Sequence, residues 1–176
     1  MLFQECMKYQ NSKVQELLRS LSWSLVLALC AQITVPFDPV PLTLQTMAVL
    51  FIATLGAKQG MFAVLFYLLE GAVGLPVFAS FSSGIHEILG PTGGYLLGFI
   101  PAAYLAGMLF QKSHSKNFGS VFFAGSVGIF AVLVCGYLHL AYFVGFSEAY
   151  SLGIAPFYSV ELMKLLIFAL VVFKKQ

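Results

Sequence analysis

The sequence predicts an all-α membrane protein of six transmembrane helices, and three observations carry that prediction. Of its 176 residues, 60% are hydrophobic and 9% are charged, whereas soluble domains carry roughly 25% charged residues. The apolar residues gather into runs, and six spans of roughly 20 residues with short turns would use most of such a chain. The cations then fall into register. Lys8, Lys13 and Arg19 precede the first run, and Lys58 lies between the second and third. Lys112 and Lys116 lie between the fourth and fifth, and Lys174 and Lys175 follow the last. With the N-terminus in the cytoplasm, eight of the nine Lys and Arg residues are cytoplasmic, as the positive-inside rule requires. The ninth, Lys164, lies inside the sixth span with Glu161 one turn before it.

The first span is expected over 17–35, after a short amphipathic stretch along the inner surface. Met1 to Ser20 is polar and of mixed charge, so this run reads as a retained span rather than a cleaved signal. Pro36, Pro39 and Pro41 end it, each removing a backbone donor and restricting the residue before it. Residues 42–57 form a second, short span and 60–75 a third, closed by Gly74 and Pro76. The alternative for this stretch is a single interrupted helix, which would leave the C-terminal lysines outside. Residues 76–94 are irregular and rich in Ser and Gly. Backbone of that kind cannot lie in lipid unless protein or a polar cavity satisfies it, so an outer loop dipping into the bundle is expected. Spans over 95–110, 118–146 and 157–173 complete one integral membrane domain over 1–176, with a second outer loop at 147–156.

Composition also excludes functions. The formal charge of +2 resides in flanking cations, and no basic patch interleaved with aromatics marks a nucleic-acid partner. Cys6, Cys30 and Cys135 are isolated and odd in number, a poor basis for a disulfide or a metal site. Gly56-Ala57-Lys58 lacks the loop and hydroxyl of a phosphate cradle, and no zinc-protease motif occurs. His86 and Glu87 are adjacent, which suits two ligands of one metal poorly. Binding or passage of a solute is the better class, with no catalytic residue, cofactor or metal.

Three sets of residues could carry it. Glu161 and Lys164, spaced i, i+3, share one face of the sixth helix. Charges at membrane depth are costly and mark function; the pair is either a structural lock or an anchor for a polar ligand. Thr43 and Gln45, at the head of the second span, either line a cavity or make ordinary interhelical hydrogen bonds. Ser20, Ser24 and Ala28 form a stripe of small residues on the first helix, suited to internal packing or to docking a partner subunit. His139, in the fifth span, reads as packing or as a proton site, and Glu70 as drawn toward the outer interface.

Three segments together resemble the BioY family, the biotin-capturing S-components of energy-coupling factor (ECF) transporters. They are Val35-Pro36-Phe37-Asp38-Pro39-Val40-Pro41-Leu42-Thr43-Leu44-Gln45-Thr46, Gly71-Ala72-Val73-Gly74-Leu75-Pro76-Val77-Phe78-Ala79 and Leu89-Gly90-Pro91-Thr92-Gly93-Gly94-Tyr95-Leu96-Leu97-Gly98-Phe99. Toward the C-terminus the resemblance rests on Glu161-x-x-Lys164. It implies a six-helix S-component bundle in a bacterial cytoplasmic membrane, both termini inside, with an outer loop folded over a ligand cavity. It further implies biotin as transported substrate. The partners it implies are a transmembrane T-subunit and two cytoplasmic ATPases, though some members act without them. The small-residue stripe matches the family's usual docking face. Two departures stand out: Glu161 where the family usually has Asp, and Ala79-Ser80-Phe81-Ser82-Ser83-Gly84 in place of a more glycine-rich loop. The residues expected around the ligand are Glu161, Lys164, Tyr95, Ser82 and Ser83, then Gln45 and Thr43. The rivals are an S-component for another vitamin and a structural membrane protein in which the charge pair only joins helices.

Overall fold

The computed structural model describes residues 2–113 and 117–174, with side chains from residue 13 onward. Lys116 and Lys175, counted above among the cytoplasmic cations, lie outside the described residues, as do the side chains of Cys6 and Lys8. The chain is mostly helical. α1 (Leu2–Gln32) is followed by a two-stranded antiparallel ribbon, β1 (Thr34–Val35) with β2 (Leu42–Thr43), then α2 (Gln45–Ala53) and α3 (Ala57–Ala72). A 3-10 turn (Ala79–Phe81) and the short α4 (Ile85–Leu89) lead into α5 (Gly93–Lys112). α6 (Phe118–Val144), α7 (Phe146–Gly153) and α8 (Ala155–Lys174) complete the fold.

Among the described residues, four helical stretches are long and apolar enough to cross a membrane: 13–32, 93–112, 118–144 and 146–174. The expected second and third spans are shorter. α2 has nine residues, a rise of about 14 Å, against a hydrocarbon core of about 30 Å. The helix expected from residue 42 starts only at 45 because Leu42 and Thr43 pair with Val35 and Thr34. The Thr43 hydroxyl also accepts from the Gln45 N–H at 3.3 Å, a local bond that competes with helix formation. The same ribbon ends α1 at Gln32 rather than at 35. The N-terminal amphipathic stretch is not a separate surface element; it runs unbroken into α1.

The helices α2 and α3 are nevertheless two, not one interrupted helix. Gln45 at the head of α2 donates to the Tyr67 hydroxyl near the end of α3, while Gly60 near the start of α3 packs on Ala53 at the end of α2. They therefore run in opposite directions. Gly107 of α5 meets Ala57 of α3, Gly94 and Gly98 meet Cys135 and Val132 of α6, and Gly125 of α6 meets Leu165 of α8. Each of these pairs is antiparallel. Glycine brings the backbones together, as in packed membrane helices generally; at Gly136, a Cβ would fall 2.3 Å from the ring of Tyr95.

One end of the bundle collects Lys13, Glu16, Lys58 and Gln111 around a cleft, with the C-terminal residues of α5 and α8, Lys112 and Lys174, at the same end. The opposite end carries the ribbon, the loop from 73 to 92 and α7. Two apolar clusters fill the interior. Tyr67, Phe78, Tyr95, Phe99 and Phe157 belong to the loop-bearing end, and Phe110, Val121, Leu165 and Phe168 to the lysine end. Among the cysteines with described side chains, Cys30 and Cys135 are both free.

Candidate functional site

A cavity of about 290 Å³ lies under the loops at the end opposite the lysines. Its roof is Pro39, Val40 and Pro41 with Phe78, Ala79, Ser80 and Ser82, and Glu87 and Thr92 close one side. Its walls are Tyr95, Leu96 and Phe99 of α5, Ile129, Val132 and Leu133 of α6, and Phe157 of α8. Thr43, Gln45, Thr46 and Glu161 supply the polar edge. The irregular 76–94 segment thus does dip into the bundle, and protein satisfies part of its backbone. Gly84 N–H donates to Gly71 O at 2.7 Å, and the His139 ring nitrogen lies 3.0 Å from Gly90 O. Phe78 fits because Gly71 has no side chain, since a Cβ there would meet its ring at 2.0 Å.

The charge pair sits at the inner edge of this cavity, in the first half of α8. Glu161 is 3% exposed and Lys164 6%. Lys164 Nζ donates to Glu161 Oε1 at 2.5 Å, to the Thr43 carbonyl at 2.6 Å and to Thr46 Oγ1 at 3.1 Å. An ammonium has three N–H donors, so all three are used within the protein. Thr46 Oγ1 in turn donates to Glu161 Oε1 at 2.9 Å. Glu161 Oε2 is different: it is buried and has no hydrogen-bond partner. An unsatisfied buried acceptor costs about 1–3 kcal/mol, more when charged. A ligand N–H donor arriving through the cavity would remove that cost.

Behind the pair, the Thr43 hydroxyl donates to Gln45 Oε1 at 2.8 Å, and Gln45 Nε2 donates to the Tyr67 hydroxyl. This chain ties α2 to α3 and fixes the edge of the site. The Tyr95 hydroxyl donates to Gly153 O at 2.8 Å, and its ring stacks on Phe157 with centroids 5.7 Å apart. Tyr95 therefore offers the cavity a ring face, with its hydroxyl committed to the α7–α8 junction.

Of the residues singled out from sequence, Glu161, Tyr95, Ser82, Gln45 and Thr43 line the cavity. Lys164 is not in the wall; its donors go to Glu161, Thr43 and Thr46. Ser83 also falls outside the wall. Thr46, Glu87 and Thr92 also line the cavity and were not among the residues expected around the ligand. The run Leu42-Thr43-Leu44-Gln45-Thr46 held a signal for Thr46, but the Thr43 carbonyl, 121 residues from Lys164, leaves no mark on side-chain pattern.

The stripe of Ser20, Ser24 and Ala28 faces inward. Ser20 and Ser24 are buried, Ala28 is half-buried, and Ser24 Oγ lies 2.8 Å from Glu70 Oε1 on α3. Ser24 thus packs α1 on α3, and Ser20 also lines the cleft at the lysine end. Glu70 is half-buried in the same contact.

Comparison with known proteins gives one consistent result. The sequence profile of the BioY family matches residues 7–176. The probable biotin transporter BioY of Pyrococcus horikoshii is 42% identical over 135 residues, 76% of this chain and 79% of that one. The biotin transporter BioY of Thermotoga maritima is 38% identical over 160 residues, 90% of this chain and 94% of that one. Among solved structures, the S-component for biotin from an ECF-type ABC transporter superposes with a TM-score of 0.81, covering 94% of each chain at 25% identity.

Proposed function

Because the chain belongs to the BioY family, we propose that it captures biotin outside the cell and carries it across the cytoplasmic membrane as the substrate-specific S-component of an ECF-type transporter. The observation that carries this reading is Glu161, whose Oε2 has no hydrogen-bond partner, at the polar edge of a cavity walled mainly by apolar residues. Biotin's ureido ring offers two N–H donors and a carbonyl acceptor, its thiophane ring and methylene chain are apolar, and its valerate ends in a carboxylate. Such a ligand suits a concave, mostly apolar site with few convergent polar groups. The ureido N–H meets Glu161 Oε2. Lys164 holds the Glu161 carboxylate oriented, and Ser82, at the roof, serves the more polar end of the ligand nearer the mouth. Tyr95 and Phe157 supply ring faces to the bicycle.

The relatives and the apolar helices support a multi-pass membrane protein. In the proposed topology, six helices alternate in direction (α1, α2, α3, α5, α6 and α8), with both termini cytoplasmic. Lys13, Lys58, Lys112 and Lys174 then face the cytoplasm, in keeping with the positive-inside rule. The short α2 and α3 cross as a hairpin shielded by their neighbours. The whole chain is one integral membrane domain. It needs no cofactor and catalyses no reaction. ATP hydrolysis belongs to two partner ATPases, joined through a transmembrane T-subunit.

Uptake of radiolabelled biotin by a transport-deficient bacterial host expressing the chain tests this, with and without co-expressed ECF subunits. Uptake competed by unlabelled biotin, and not by thiamine or riboflavin, is expected. Selective uptake of another vitamin would overturn the biotin assignment.

A further inference from the structure

Among the described residues, α1 contributes nothing to the wall of the cavity, yet its last residue holds part of that wall in place. Gln32 Nε2 donates to the Phe78 carbonyl at 3.0 Å, and Gln32 Oε1 accepts from the Phe81 N–H at 2.9 Å. Between these two bonds lies the 3-10 turn whose residues Ala79 and Ser80, with Phe78 and Ser82 beside them, face the cavity. Ser80 (φ 56°) and Phe81 (φ 60°) are both left-handed, a conformation disfavoured by the Cβ of any residue but glycine. Two such residues in succession persist only where their surroundings over-determine them.

The surroundings can be named. The turn closes on itself through Phe78 N–H to Ser82 O and Ser82 N–H to Ala79 O, both 3.1 Å. The Phe78 ring is buried edge-on to Tyr67 with centroids 5.5 Å apart. Phe81 has no such anchor, for its side chain is 69% exposed. Its backbone N–H is held by Gln32 instead. We propose that Gln32 is a positioning residue of the ligand site: it clamps the strained turn that roofs the cavity and so sets the rate at which ligand leaves. This rests on the reading of the cavity as the biotin site. Only a side-chain amide of this length fits the task, because one group must donate to a carbonyl and accept from an N–H. Glutamate can accept from Phe81 but cannot donate to Phe78.

The test uses the full chain in lipid nanodiscs. Amide hydrogen exchange of residues 78–84 is measured without ligand, and biotin dissociation is measured separately. The variants are Gln32→Ala, Gln32→Glu and, as a control on the exposed face of α1, Leu29→Ala. In Gln32→Ala, exchange at Phe81 and biotin dissociation both rise about tenfold, the scale of one lost hydrogen bond, while exchange within α3 and the melting midpoint stay near wild type. In Gln32→Glu, Phe81 stays protected but dissociation is still faster; this variant carries the test alone if the alanine protein does not fold. Leu29→Ala matches wild type. Wild-type exchange at Phe81 in Gln32→Ala, or wild-type dissociation in either Gln32 variant, would overturn the proposal. A wild-type protein that binds no biotin would sink the biotin reading, yet exchange at Phe81 would still decide whether Gln32 holds the turn.

Discussion

Lys164 Nζ lies 2.5 Å from Glu161 Oε1, and its other two N–H bonds go to Thr43 and Thr46, while Glu161 Oε2 has no hydrogen-bond partner. In the proposed site, this lysine acts on the ligand through the carboxylate it orients. Removing it alone leaves a buried charge without compensation, which typically costs about 3–5 kcal/mol.

Replacing both members of the pair separates structure from binding. Glu161→Met with Lys164→Met is expected to fold and melt within a few degrees of wild type, because apolar pairs commonly substitute for buried ion pairs without loss. Biotin binding is expected to vanish. Thermal unfolding in detergent, followed by a binding titration on the same sample, checks both halves.

Tyr67→Phe removes the acceptor of Gln45 Nε2 without touching the cavity wall. A buried donor left unpaired costs about 1–3 kcal/mol, so lower stability and a several-fold weaker affinity are expected. Gln45→Leu in the Tyr67→Phe background should recover stability but not affinity, since Thr43 still loses its partner. Denaturation and binding curves for the single and double variants read this out.

Gly136→Ala places a methyl group against the Tyr95 ring. Overpacking of this kind costs roughly 1–3 kcal/mol. Displacement of Tyr95 from Phe157 and Gly153 is expected to weaken biotin binding by tenfold or more. Gly119→Ala, near the opposite end of α6, meets only Asn117 at 3.6 Å and is expected to bind as wild type.

Much of this fold was legible from composition and punctuation. The proline and glycine breaks mark the ends of the helices, and the expected spans at 95–110, 118–146 and 157–173 overlap α5, α6 and α8 closely. Residues 85–89 and 147–153 were read as loop because short polar or glycine-flanked helices carry little periodicity. The ribbon of two-residue strands is shorter than any alternation that could reveal it. At the site, Glu161 and Lys164 were legible as intramembrane charges at helical spacing. The contact of Lys164 with Thr43 was not, because it depends on a backbone carbonyl brought from the far side of the sequence. The inward face of Ser20 and Ser24 was equally invisible, since small-residue spacing does not say which helix approaches.

Topology has its own check. With native cysteines replaced, single cysteines at Lys58 and Lys112 are expected to react with an impermeant thiol reagent only from the cytoplasmic side, and one at Ser83 only from outside. Labelling of all three from one side would rule out six alternating crossings.

The most direct measurement is equilibrium binding of biotin to the purified protein, comparing wild type with Glu161→Gln and Lys164→Ala. A bond from an N–H to a charged acceptor is worth about 1.5–3 kcal/mol. Glu161→Gln is therefore expected to bind roughly 10- to 150-fold more weakly, and Lys164→Ala more weakly still. Undiminished binding by Glu161→Gln would contradict the assignment of Glu161 Oε2 as the ligand's acceptor, and with it the proposed chemistry of the cavity.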